Sequence, residues 1–452
     1  MQELVSSSGI RGFAMDEVSP RLCANLGIAL SGRTKGIYAV GHDVRLTSAL
    51  LASSIANGLN AGGSDAVLLG LAPTPAVAFY SKGKHGGAMI TASHNPPDYN
   101  GVKLFDGRGA SVSQQFYHYL LSKAEAAPPM ADWDAVGSCR SGSGLYEYIE
   151  SVAAYSRLRK KWKIGLDPGN GATSITAAMA LTMAGCSATT VNLAPDGYFK
   201  GRGSEPDEKA LSSLSSLVRE KNLDAGFAFD GDGDRVAIVD EKGAYIPQDI
   251  ALAYTASNII MKKGGGSVVV NVDTSAIVDL MVESAGGSVH RSKVGDVYIL
   301  EDLMSSGGSF GGETCGAWIF PEKSLCPAGL LSSIAFLNLL DENGVKPSQI
   351  SEGLPRLYLT RRKVSCPNAL KPQVIDAIKD SICKKFPASN MTDNDGVRAS
   401  FPDKSWILIR PSGTEPLIRI TTEASTAAGS KGLADASIGL IEGAMEGVPR
   451  KR

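Results

Sequence analysis

The sequence predicts an α/β protein of four domains, three similar mixed-sheet units followed by a smaller α+β domain. Three observations carry that prediction. The 452 residues exceed what one hydrophobic core supports. A layout of strand, turn, helix, glycine and second strand recurs three times, each turn opening with an aspartate. Beyond about Gly353 the layout gives way to a run of strands framed by two helices.

In the first unit an apolar strand begins at Ile37 and turns at Asp43. The following helix puts Leu51, Ile55 and Leu59 on one face, and Gly62 and Gly63 stop it before a strand at residues 66–69. The second unit has a strand at 163–167, a turn at Asp167, a helix over 175–183, Gly185, and a strand at 189–193. The third has a strand from Val268, a turn at Asp273, a helix over 277–282, and Gly286. Strand, crossover helix and strand build parallel or mixed sheets covered by helices. Residues 124–144, with two prolines and three glycines among small residues, read as a crossing between units. In the last part, strands fall at 357–364, 396–400, 406–410 and 417–422, with a helix over 374–383 and another at the end. The expected domains are 1–144, 145–245, 246–353 and 354–452.

Composition narrows the function classes. Forty-five Lys and Arg balance forty-six Asp and Glu, so the chain lacks the basic surface that a nucleic-acid binder needs. No sustained apolar run occupies the first thirty residues, which predicts a cytoplasmic protein with no membrane partner. The seven cysteines are odd in number, scattered and never in a CxxC pair, against a disulfide framework or a zinc site.

Four segments can carry chemistry. Residues 87–92 read as a strand running into Ser93, His94, Asn95, Pro96 and Pro97, where the prolines force a turn. Ser93 is expected exposed at that loop tip. A serine that accepts and returns a phosphoryl group divides one difficult transfer into two easier ones. After the apolar Phe227, Ala228 and Phe229 come Asp230, Asp232 and Asp234, alternating with glycines and followed by Arg235. Such carboxylates converge on a Mg²⁺ ion and leave it positions for a phosphoryl oxygen. An EF-hand reading fails because strands, not helices, flank the loop and Arg235 stands where that motif needs glycine. Arg410, Ser412, Gly413, Thr414 and the downstream Arg419 supply the cations, hydroxyls and backbone amides that grip a non-reacting phosphate. Between these, Glu313 and Cys315 sit in a glycine-rich loop that can offer a carboxylate to sugar hydroxyls.

In this order and over nearly the whole chain, the four segments resemble the α-D-phosphohexomutase superfamily, its archaeal-type phosphoglucosamine mutase-like branch above all. Ser7 to Gly12, reading SSGIRG, is similar to an N-terminal signature of that family. Asn100, Gly101 and Lys103, and the run Lys293 to Asp296, also fit its patterns. The resemblance implies the four-domain phosphohexomutase architecture around a central cleft. Ser93 would be the phosphoserine and, with Asp230, Asp232 and Asp234, would hold Mg²⁺. Arg11 and Lys103 would stabilise charge or manage the hydroxyl proton, while His94 would shape the loop beside the phosphate. Arg235, Lys293, Glu313 and Cys315 would bind the sugar; Arg410, Ser412, Gly413, Thr414 and Arg419 would hold the idle phosphate. The implied reaction interconverts hexose 1- and 6-phosphates through a bisphosphorylated sugar, in a monomer or homo-oligomer whose C-terminal domain moves near Gly353.

Two positions depart from the pattern. Many relatives carry Glu-x-Ser-Gly-His in the sugar loop, where this chain has Cys315 and Ala317. The missing histidine leaves Lys103, His290 or Asp296 as candidate bases, and it loosens the choice of sugar. Glucosamine phosphate is expected first, with mannose and glucose phosphates as alternatives. A metal-dependent serine phosphomonoesterase is a more distant alternative, disfavoured by only five unclustered histidines. A non-catalytic sugar-phosphate binder is disfavoured by the intact Ser93, aspartates and arginines. A P-loop kinase is excluded because no GxxxxGK[ST] segment occurs.

Overall fold

The computed structural model describes residues 4–447 apart from 143, 387–389, 413 and 414. Among these the strands form four sheets. In the first, Ile37–His42 lies parallel between Asp65–Leu71 and Gly86–Ile90. Tyr99–Asp106 then runs antiparallel between Gly86–Ile90 and Gly9–Phe13, which makes the sheet mixed as expected. The helix Ser48–Ala61 buries Leu51, Ile55 and Leu59 against Tyr38, Val40 and Ile90. Each such side chain contributes roughly 1.5–3 kcal/mol. The expected crossing at 124–144 holds one element that its composition hides. Cys139–Ser141, solvent-exposed throughout, pairs parallel with Asp65–Leu71 at the sheet edge.

The second sheet is ordered Tyr245–Ile246, Val236–Val239, Ala225–Phe229, Lys163–Asp167, Ser187–Thr190. Its outer strand starts two residues earlier than expected and ends at Thr190. Gly185, at φ +97°, ends the preceding helix and sends the chain straight into the strand, whereas Asn192, at φ +49°, leaves it to donate to Asp167 Oδ1 at 3.1 Å. The third sheet is ordered Gly287–Ser292, Gly266–Asn271, Phe310–Gly312, Trp318–Ile319. The fourth is antiparallel and packs the helices Lys371–Lys385 and Ala427–Gly447 over a core that includes Val374, Ile378, Ile409 and Ile420. Its edge strand Asn390–Thr392 is short and polar, and the sequence pattern does not reveal it.

The first three units share one apolar core, running from Met89 and Tyr148 through Leu166 and Phe229 to Ile334 and Phe336. The C-terminal unit keeps its own core and meets the third through Val272, Ala276, Trp406 and Leu408. Each unit delivers its functional loop from the carboxyl end of a strand: Ser93 after Gly86–Ile90, Asp230 after Ala225–Phe229, Glu313 after Phe310–Gly312, Ser412 after Trp406–Pro411. That end is where α/β sheets hold their ligands. No helix among the described residues is long and apolar enough to cross a membrane.

Candidate active site

Ser93 is only 1% exposed, which corrects the expectation of an exposed loop tip. The second domain's Asp230 loop closes over it. A Cβ on Gly231 would meet the Ser93 carbonyl at 2.6 Å, so glycine lets the two backbones touch. Ser93 adopts φ +53°, a left-handed conformation uncommon outside glycine. Its N–H donates to Thr91 Oγ1 at 2.8 Å, and its Oγ donates to Asp230 Oδ2 at 2.7 Å. His94 Nδ1 lies 3.3 Å from the same hydroxyl. Burial, Arg235 and Arg11 together pull the His94 pKa well below its usual value, so the ring is neutral beside Ser93.

Asp230, Asp232 and Asp234 each bring a carboxylate oxygen within 4.8 Å of the others. All three are buried, and burial with mutual repulsion raises the pKa of Asp230 and Asp234. Burial pushes Asp232 the same way, but Lys103 overrides it and holds Asp232 below the usual range. Lys103 Nζ donates to Asp232 Oδ2 at 2.8 Å and to Asp234 Oδ2 at 2.5 Å. Burial would depress this ammonium, yet the two carboxylates raise its pKa. Thr74 Oγ1 adds a 2.5 Å donation to Asp232 Oδ2. Asp232 Oδ1 and Asp234 Oδ1 are buried without a hydrogen-bond partner among the described residues. Orphaned buried carboxylate oxygens in a converging hard-oxygen set fit a divalent cation, so the group can bind a metal.

Arg235 joins this centre to the Glu313 loop. Its Nη1 lies 3.2 Å from Glu205 Oε2, and its backbone bridges to Ala317. A Cβ on Gly316, at φ +85°, would meet the Val236 carbonyl at 2.1 Å, which explains the glycine there. Glu313 is 8% exposed, held in place where Asn271 Nδ2 and the Gly295 N–H donate to its Oε1 at 3.1 and 3.0 Å. Burial, with Asp296 nearby, lifts its pKa to about 7. Cys315 lies against Glu313, and burial raises its thiol well above the usual value. Lys293 is exposed over the Tyr298 ring, 5.6 Å from its centroid, and contacts no other predicted site residue among the described residues.

The three candidate bases separate. Lys103 is clamped as an ammonium. His290 is mostly exposed and faces Asp302 at 3.4 Å, outside the cluster. Asp296 accepts from the Ser8 hydroxyl and lines one small enclosed space with Lys103, Thr74 and Asp234. Arg11, on the strand beside Gly101, leaves its buried Nε unpartnered among the described residues.

In the C-terminal domain Ser412 is buried and its Oγ accepts from the Glu415 N–H at 3.2 Å. Lys371 Nζ ties the Ser412 and Glu415 carbonyls together at 2.6 Å each. Arg419 pairs with Glu415, and Arg410 Nη1 lies 3.1 Å from Asp395 Oδ2. Gly413 and Thr414 lie outside the described residues. Asp395 also accepts from the Val294 N–H at 3.1 Å, linking Arg410 to the loop whose Gly295 holds Glu313.

Sequence reasoning missed Arg45, Asp395, Thr74 and Glu205. Asp43 was visible only as a turn residue, although an aspartate two positions before an arginine at a strand end was a usable signal. Thr74 reaches Asp232 in the next domain and Asp395 reaches Val294 in the preceding one, so no local pattern marks either.

Comparisons with known proteins agree along the chain. Family models for phosphoglucomutase/phosphomannomutase α/β/α domains I, II and III match residues 2–127, 146–243 and 248–358, and that for the C-terminal domain matches 362–438. The chain is 36% identical to a probable phosphoglucosamine mutase of Pyrococcus abyssi, over 99% of each. Among solved structures, a phosphoglucomutase/phosphomannomutase family protein of Burkholderia thailandensis superposes with a TM-score of 0.89 at 24% identity, over 99% of both chains. An N-acetylphosphoglucosamine mutase of Aspergillus fumigatus, in complex with GlcNAc-6P and magnesium, shares the fold with a TM-score of 0.63 at 14% identity. It covers 98% of this chain and 96% of that one.

Proposed function

Since the chain belongs to the phosphoglucomutase/phosphomannomutase family, we propose that it is a phosphohexomutase whose substrate is glucosamine phosphate and whose phosphoryl carrier is Ser93. One observation carries the residue assignment: a buried serine hydroxyl donates to Asp230 inside a cluster of three carboxylates, Lys103 and Arg11. The curated relatives named as phosphoglucosamine mutases support the sugar.

Phosphorylated Ser93 gives its group to a free sugar hydroxyl. The P–Oγ bond breaks as the new P–O bond forms, producing a bisphosphorylated hexose. After the intermediate reorients, its other phosphate returns to Ser93 and the isomeric monophosphate leaves. Asp230, Asp232 and Asp234, with a phosphoryl oxygen on Ser93, would hold Mg²⁺, which when bound offsets negative charge on the transferring group. Lys103 and Arg11 are preorganised cations for that charge. Asp296 is the carboxylate placed to take the hydroxyl proton, in the role that Ala317 cannot fill. Glu313 accepts from the sugar, and Arg410, Ser412 and Arg419 hold the idle phosphate, with Asp395 and Glu415 keeping the two arginines in place before substrate arrives. Burial of Ser93 keeps water from its phosphate, which favours a mutase over a phosphomonoesterase.

Phosphorus NMR tests this reading. Magnesium, trace hexose 1,6-bisphosphate and glucosamine 6-phosphate should give glucosamine 1-phosphate with the native protein and none with Ser93→Ala. Turnover of mannose or glucose phosphate above glucosamine phosphate would overturn the sugar, and release of inorganic phosphate would overturn the mutase.

A further inference from the structure

The loop after Gly86–Ile90 is suspended from one buried side chain that lies outside the groups described as meeting substrate. Arg45 is 2% exposed. Its Nη2 donates to the Ser93 and Asn95 carbonyls at 2.8 and 2.7 Å, and its Nη1 to the Tyr99 carbonyl at 3.0 Å and to that of Pro96. Its Nε donates to Asp43 Oδ2 at 3.0 Å. Asp43 is fixed in turn by Ser48 Oγ at 2.6 Å and by Thr91 Oγ1 at 2.7 Å, the same hydroxyl that accepts the Ser93 N–H. The second domain closes the other side. Phe199 lies under the guanidinium, 5.1 Å from ring centroid to Cζ, and Ser204 Oγ donates to the His94 and Asn95 carbonyls at 2.6 and 2.9 Å.

A planar fork that fills its donors with backbone carbonyls fixes peptide planes in a way that an ammonium cannot. A left-handed non-glycine residue is strained and persists only where its surroundings over-determine it. Here Arg45 and Thr91 hold the two ends of Ser93, its carbonyl and its N–H. The trans peptide sets the His94 N–H antiparallel to the Ser93 carbonyl, so the same contact turns that donor away from Arg45. Pro96 and Pro97 offer no N–H, and no partner for the His94 N–H occurs among the described residues.

We propose that Arg45, braced by Asp43, is the positioning residue that holds Ser93 in its left-handed conformation and aims the Ser93 hydroxyl and His94 N–H at the transferring phosphoryl group. It acts on the transfer step and not on sugar binding. The inference rests on Ser93 being the phosphoryl carrier.

The test compares Arg45→Lys, Asp43→Asn and Ser93→Ala in the full-length protein by steady-state kinetics and phosphorus NMR of the phosphoenzyme. Arg45→Lys keeps the charge and loses the fork. It should lower kcat by about 10- to 100-fold, as a misplaced reacting group does. KM should stay within about threefold, Mn²⁺ affinity should be unchanged, and the phosphoserine resonance should shift and broaden. Asp43→Asn should do the same to a smaller degree. A normal kcat with only a lowered melting temperature, or a raised KM with kcat intact, would overturn the proposal. If both variants unfold, Ser204→Ala decides, since it loosens the same loop from outside. It should lower kcat severalfold at unchanged KM, and unchanged kcat would overturn the inference. A fully active Ser93→Ala would instead reject the carrier assignment itself.

Discussion

Lys103 Nζ lies 2.8 Å from Asp232 Oδ2, and both side chains are shut away from solvent. The pair spans two domains and sets the charge of the site. Lys103 neutralises part of the charge on Asp232 and Asp234, two of the three carboxylates that converge there.

Replacing Lys103 by methionine should therefore raise affinity for Mn²⁺ or Mg²⁺ while lowering kcat by about 10²- to 10³-fold, the scale of losing one preorganised charge donor. Calorimetric metal titration and the mutase assay check the two halves. A loss of metal affinity would contradict the charge balance.

The orphaned oxygens of Asp232 and Asp234 fit the folded protein to receive a divalent cation. Magnesium at a hundredfold excess over its Kd should stabilise the native chain by about 2.7 kcal/mol, since a ligand of the native state adds RT ln(1 + [L]/Kd). Denaturant melts with and without EDTA would show it, and Asp232→Asn with Asp234→Asn should abolish the difference.

Glu313 gives a pH prediction. Its folded pKa is about 7, above its ordinary value of 4.5, so the native state binds more protons between those limits. The corresponding stability is fully present below about 4.5 and is lost as pH rises through about 7. Glu313→Gln should flatten that decline in denaturant melts from pH 4.5 to 8. A wild-type slope that the substitution leaves untouched would place the titration elsewhere.

Asp296→Asn should lower kcat and kcat/KM by about 10²- to 10⁴-fold, as loss of a general base does. His290→Ala, outside the cluster, should leave both nearly unchanged. The reverse ranking would reassign the base.

Thiol chemistry separates the cysteines by position. Iodoacetamide at neutral pH should modify the exposed Cys139 and spare Cys315, whose thiol is buried beside Glu313 and raised above its usual pKa. Peptide mass spectrometry reads the sites, and activity should survive the modification.

Much of this was legible in the chain because it is written in local order. The repeated strand, Asp turn and helix follow from apolar periodicity and glycine stops, and the Asp230 loop from its alternation with glycine. What was not legible depends on partners far away in sequence. The burial of Ser93 comes from Gly231 of the next domain, and the enclosure of Glu313 from Asn271 and Gly295. Arg45 looks like an ordinary turn arginine until the carbonyls of Ser93, Asn95 and Tyr99 are seen around it. The edge strands Cys139–Ser141 and Asn390–Thr392 are short and polar, so no hydrophobic alternation announces them.

The most direct test is phosphorus NMR of the protein after incubation with magnesium and glucose 1,6-bisphosphate, followed by peptide mapping. One phosphoserine is expected, at Ser93, which disappears when excess glucosamine 6-phosphate is added while glucosamine 1-phosphate accumulates. A phosphate on another residue, or full mutase activity in Ser93→Ala, would contradict that expectation.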